Sequence, residues 1–106
     1  MNPTYHPIPL TDNAYDQQFE LAVNGATALL QYQLHHQYLS LIHTEVPAAL
    51  QGQGVGSALV EKVLLWAQER HLTIIPLCPF VAHYIHRHPA WYQLVAPGYR
   101  PAGAAQ

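Results

Sequence analysis

The chain has 106 residues, half of them hydrophobic or aromatic, which suits one compact domain with a modest core and excludes both a disordered chain and a two-domain one. It carries only four Lys or Arg and six Asp or Glu, for a formal charge of −2, so nucleic acid is not the expected main partner. Eight histidines make the charge sensitive to pH between about 5 and 7.5.

A single cysteine, Cys78, cannot close an internal disulfide, and nothing in the composition suggests secretion. No apolar run approaches the roughly 20 residues that cross a membrane. The first ten residues lack the apolar stretch of a signal peptide. The expectation is a cytoplasmic protein without a membrane partner.

Residues 1–17, with Pro3, Pro7 and Pro9, read as a tail or loop. The domain is expected over residues 18–95. Phe19, Leu21 and Val23 alternate with Glu20, Ala22 and Asn24, the pattern of a strand with one buried face. Asn24-Gly25 is a strong hairpin signal, and residues 27–34 return with Leu30, Tyr32 and Leu34 on one face. A second turn at His35-His36-Gln37 leads to a third strand over 38–46, which Pro47 ends. Three glycines at every second position, Gly52, Gly54 and Gly56, open a helix whose buried face is Val55, Leu59, Val63, Trp66 and Ala67. It ends near Arg70-His71. Residues 72–77 are nearly all apolar and read as a strand buried on both faces. Cys78-Pro79 begins a second helix with the stripe Phe80, Val81, Tyr84 and Ile85. Pro89 stops it, 91–95 forms one more turn, and 96–106 reads as a tail. The class is α+β: an antiparallel three-strand meander, a helix, a strand parallel to the third, and a helix.

Glycines at a strand-to-helix junction let backbone N–H groups approach a bulky anion, and the helix N-terminus adds positive potential. The loop is neither a Walker loop, since no Lys follows Gly56, nor a dinucleotide fingerprint, since the spacing is G-x-G-x-G behind a proline-bearing linker. The bland alternative is a glycine-rich turn that only starts a helix.

Gln51-x-x-Gly54-x-Gly56 resembles the acyl-CoA signature of the GNAT N-acetyltransferase superfamily. The wider string, His43-Thr44-Glu45-Val46-Pro47, the loop, Ile75-Pro76-Leu77-Cys78-Pro79-Phe80-Val81 and His88-Pro89, is similar to a branch of very small, stand-alone members about 100 residues long. The resemblance runs from about 19 to 95. It implies a minimal GNAT fold in which the strand before the loop and the later parallel strand splay apart, with acetyl-CoA as cosubstrate. The pyrophosphate would lie on Gln51, Gly52, Gln53, Gly54, Val55, Gly56 and Ser57. The pantetheine arm would lie between Thr44 and Val46 on one edge and Pro76 and Cys78 on the other. The two N-terminal helices of larger members, which usually build the acceptor pocket, have no counterpart, so the amine acceptor stays unidentified.

Amine acetylation needs a neutral nucleophile and a proton for the departing thiolate. Cys78 at a helix start reads as an acyl-carrying nucleophile, as a proton donor, or as a small buried hydrophobe. His43 and Glu45, two apart on a strand, share a face and read as a general base or as solvated side chains. Tyr84 reads as a proton donor or as core. His83, His86 and His88 invite a metal reading, but no second ligand cluster is evident. The expected function is an acetyl-CoA-dependent N-acetyltransferase, monomeric or weakly dimeric, with a non-catalytic acyl-CoA-binding module as the alternative.

Overall fold

A computed structural model of the chain describes residues 3–100. Strands β1 (Thr11–Asn13), β2 (Gln18–Val23), β3 (Ala26–His35), β4 (Tyr38–Glu45) and β5 (Thr73–Pro76) form one sheet in that order. The first four are antiparallel, and β5 is parallel to β4. Helix α1 (Val55–Glu69) bridges β4 to β5, and α2 (Pro79–Arg87) follows β5. The β2–β3 turn has φ of 50° at Asn24 and 81° at Gly25, the two positive angles that match a hairpin's twist.

Residues opposite one another in a ladder share a face, and the register therefore sorts the strands. Phe19, Leu21, Ala28, Leu30, Tyr32, Leu39 and Leu41 lie on one face and are all buried. Val55, Leu59, Val63 and Ala67 of α1 and Val81, Tyr84 and Ile85 of α2 join the same core. The other face presents Ala22, Thr27, Gln31 and Gln33 to solvent. The molecule is thus one sheet with both helices gathered on one side of its core.

The β3–β4 ladder shifts between Gln31 and Tyr32. Gln31 faces His43, while Tyr32 faces Leu41, so Ile42 is an extra residue in β4, a β-bulge. The bulge resets the alternation. Thr44, opposite Leu30, lies on the helix side, and His43 and Glu45, opposite Gln31 and Leu29, lie on the open face.

Four expectations need correction. Residues 1–17 are not a mere tail: Tyr5 is buried in the core, and Thr11–Asn13 pairs with β2. A three-residue strand is too short to show a period, and its closing turn is held by side chains, with Asn13 Oδ1 accepting the Asp16 N–H at 3.1 Å. Leu34 is exposed, because β3 runs on past the end of β2, whose ladder with it stops at Gln31. β5 is not buried on both faces: of its residues only Ile74 is fully buried, and Leu77 just beyond is 53% exposed. It is an edge strand of the sheet, flanked beyond by one bridge from Ile74 to Val95. Phe80 does not join the core stripe of α2 but stays 43% exposed. Of the expected tail over 96–106, residues 101–106 lie outside the described residues, while Ala96 is buried and donates its N–H to Ile74 O at 2.9 Å.

The core also holds two phenols that fold in their neutral form. Tyr32 donates to Asp12 Oδ1 at 2.6 Å; burial, then the Asp12 hydrogen bond and charge, push it up to about 12. Tyr84 is likewise pushed up to about 12 by burial and then by Glu61. In an unfolded chain these groups lose their protons near pH 10, so above it the folded state binds more protons and stability falls with pH. Stability should therefore decline between about pH 10 and pH 12, and Tyr32→Phe should flatten that decline in chemical denaturation series. An unchanged slope in the variant would refute the assignment.

Candidate functional site

Backbone pairing between β4 and β5 covers only Tyr38–Leu41 against Thr73–Pro76. The donors of β5 that face β4 are those of Thr73, bonded to Gln37 O at 2.7 Å, and its alternates. The next donor in that series, Leu77 N–H, turns back to Ile75 O at 3.1 Å, a three-residue turn centred on Pro76, whose ring presets its φ. Cys78 N–H then closes on Leu41 O at 2.8 Å, and the chain leaves the sheet as α2. Residues 42–45 of β4 have no strand on that side among the described residues.

Beyond β4, Pro47 and a 3-10 turn over Ala48–Leu50 deliver the glycine loop. Gly52 and Gly54 adopt φ of 77° and 78°, which L side chains rarely tolerate. Gly54 caps α1. Gly56 is buried in the first turn, where an added Cβ would lie 2.9 Å from Phe80 Cζ and 3.3 Å from Val46 Cγ2. Among the described residues no backbone carbonyl accepts from the amides of 52–57, the first taken amide being Ala58 N–H on Gly54 O. These free donors surround the positive end of a 15-residue helix, a ready anion site. A cavity of about 400 Å³ is lined by Gln51, Gly52, Gly54, Val55, Gly56 and Ser57 with Val46 and Phe80.

The loop's inner side is held by a residue that local patterning did not single out. Tyr5 donates its hydroxyl to Gln53 O at 2.7 Å. In a trans peptide the C=O and the next N–H point in opposite directions, so this bond turns Gly54 N–H away from the core and outward. Gln53 Nε2 donates to Ala49 O and Gln51 Nε2 to Val46 O, which ties the loop to the strand end. The available signal was that Tyr5, Ile8 and Leu10 form an apolar set in an otherwise polar segment, and all three pack on the core.

The catalytic candidates fall into three places. His43 Nε2 and Glu45 Oε1 lie 3.2 Å apart, both more than half exposed, on the open sheet face. A second cavity of about 470 Å³ there is lined by Thr27, Leu29, Thr44, Glu45, Val46, Pro47 and Gln51, so Val46 and Gln51 border both it and the loop cavity. Thr44 Oγ1 lies 3.4 Å from Cys78 Sγ, across the end of the strand gap. Cys78 is 4% exposed and caps α2. Tyr84 is elsewhere: its hydroxyl donates to Glu61 Oε1 at 3.1 Å, and its ring stacks on His88 at 4.1 Å, in a third cavity between α1 and α2. Among the described residues no three His, Cys, Asp or Glu side chains gather as a metal site, and no helix is long and apolar enough to cross a membrane.

The model of the family described as GCN5-related N-acetyl-transferase matches residues 18–95. Protein NATD1 of Mus musculus is 29% identical over 86 residues, covering 78% of this chain and 78% of that protein. Protein NATD1 of Homo sapiens is also 29% identical over 86 residues, covering 78% and 76%. The NMR solution structure of a GCN5-like protein from Staphylococcus aureus superposes with a TM-score of 0.65 at 26% identity, over 86% of this chain and 90% of that one. The family match takes in β2 through the turn after α2, with the glycine loop and the interrupted β4–β5 ladder inside it, and the chain belongs to the GCN5-related N-acetyltransferase family.

Proposed function

We propose that this protein transfers an acetyl group from acetyl-CoA to a primary amine of a small molecule or a protein. The observation that carries the reading is the run of free amides over 52–57 at the start of α1, set beside a parallel strand pair whose ladder stops at Pro76. The residues fit the cosubstrate. The amides and the Ser57 hydroxyl suit a diphosphate, and the absence of a Cβ on Gly56 leaves the space that Val46 and Phe80 border. The backbone of 42–45, without a strand on its β5 side and with Thr44, Val46, Pro76 and Cys78 at its rim, suits the amide-bearing pantetheine arm.

Acetyl-CoA supplies an activated thioester carbonyl, and the chain's own residues manage protons. His43, oriented by Glu45, takes a proton from the amine on the open face. Cys78 Sγ and Thr44 Oγ1, in contact at the gap, return one to the departing thiolate, so no net proton is gained. Tyr84 carries no proton step here, since its neutral phenol is occupied by Glu61.

Thermal unfolding with and without acetyl-CoA tests the binding step. A ligand at about 100 times its Kd stabilises by about 2.7 kcal/mol, which for a domain this size is a rise on the order of 10 °C. Gly54→Glu should abolish the rise, because φ of 78° opposes a side chain and the carboxylate repels phosphate. No rise in the native protein at millimolar ligand would sink the reading. Release of free thiol with an amine panel tests the chemistry: His43→Ala should lower turnover by about 10²-fold or more without loss of binding, and binding without turnover on any amine would leave a CoA-binding module. Tyr5→Phe should weaken CoA by about fivefold, roughly one hydrogen bond's worth, while leaving affinity for pantetheine, which has no diphosphate, unchanged in calorimetry.

A further inference from the structure

The open face of the sheet, away from both helices, carries a pattern that the proton steps above do not use. In the ladder register Glu20 of β2 lies opposite Leu29 of β3, and Leu29 lies opposite Glu45 of β4. Neighbouring strands lie about 4.8 Å apart, so this row sets two glutamates about 10 Å apart on one face, with an aliphatic side chain between them. Leu29 is half-buried there and lines, with Thr27 and Glu45, the cavity of about 470 Å³ on this face. At one end of the row Glu45 adjoins His43 at 3.2 Å. At the other end Glu20 Oε2 accepts from Asn13 Nδ2 at 3.0 Å and from Gln18 Nε2 at 2.7 Å. The Asn13 bond, and then the Gln18 bond, hold the Glu20 carboxyl below the usual carboxylate range. Both partners are neutral amides, so the charge of Glu20 is oriented but not cancelled.

The distribution of charge along the chain strengthens the pattern. Residues 1–50 contain Asp12, Asp16, Glu20 and Glu45 and no Lys or Arg. Lys62, Arg70, Arg87 and Arg100 all come after the glycine loop, and none of them lies on a strand. The sheet face therefore presents carboxylates without a Lys or Arg to answer them, and such a field draws cations toward it. One carboxylate beside a base suits any amine. A second carboxylate, one aliphatic side chain away, suits a molecule that is cationic at both ends and apolar between them.

We propose that the acceptor is an aliphatic diamine. One amino group is presented to His43 and Glu45, the methylene chain lies over Leu29, and the second amino group, still protonated, is held by Glu20. The inference rests on the acetyltransferase reading above and names the acceptor class for it. The transfer keeps its balance: the nitrogen beside His43 gains the acetyl carbon, the carbon–sulfur bond breaks, one proton leaves that nitrogen and one reaches the thiolate. The ammonium on Glu20 keeps its protons.

The test is NMR titration of the full chain, with and without CoA, using hexamethylenediamine and aminohexanol, two molecules of equal chain length with two ammonium groups and one. The amides that shift should lie around Glu20, Leu29 and Glu45. The native protein should bind the diamine about threefold to fivefold more tightly, the range of an exposed ion pair, and salt should shrink the preference. Glu20→Gln keeps an oxygen for Asn13 and Gln18 and removes the charge. It should bring the two amines within about twofold and leave the affinity for aminohexanol unchanged. A Glu20 that serves only to shape the turn between β1 and β2 would lower the melting temperature of the variant and leave the preference intact. That outcome, or a native protein that binds the two amines equally or binds neither, overturns the inference. The acetyl-CoA reading stands or falls separately, on the thermal shift with acetyl-CoA.

Discussion

The whole site depends on where the ladder between β4 and β5 stops. Parallel strands hydrogen-bond through alternate residues, and β5 spends its next inward donor, Leu77 N–H, on its own Ile75 carbonyl. Pro76 at the centre makes that turn favourable, because its φ is preset. Its missing N–H is not what interrupts the ladder, since that group would have faced away from β4. From this one turn follow the open β5 side of residues 42–45, the capping of α2 at Cys78 and the meeting of Thr44 with Cys78.

The bulge at Ile42 divides the end of β4 between two environments. Without it, strict alternation from Leu41 would carry His43 and Glu45 to the core side and Thr44 to the solvent side. The extra residue reverses this: it brings Thr44 against Cys78 and leaves the His43–Glu45 pair facing the open side of the sheet. A single inserted residue thus separates the two proton-handling pairs of the proposed mechanism onto opposite faces of one strand.

The chain is poor in charge, and the anion site proposed for it reflects that. Donors come from backbone amides aligned by two left-handed glycines and a helix N-terminus, not from Lys or Arg. Such amides bind only while their orientation is held, which explains the weight that falls on Tyr5. It lies 48 residues from Gln53 in sequence and fixes the peptide in the middle of the loop.

Most of the framework was legible in the residues themselves. The alternation of Phe19, Leu21 and Val23, the Asn24-Gly25 turn, the spacing of Val55, Leu59 and Val63 and the Pro at the start of α2 are local signals, because each reports backbone preferences or a repeat within a few residues. The glycine loop was legible for the same reason, and the family match agrees with the resemblance its residues carry. Burial at the sheet edge was not: residues 72–77 are apolar enough for a central strand, but only the topology places β5 at an edge of the sheet. The tertiary structure alone decided that Tyr5 meets Gln53, that Thr44 rather than His43 faces Cys78, and that Tyr84 goes to Glu61. These are contacts between distant residues, or consequences of a one-residue shift in register, and no local pattern in a sequence encodes either.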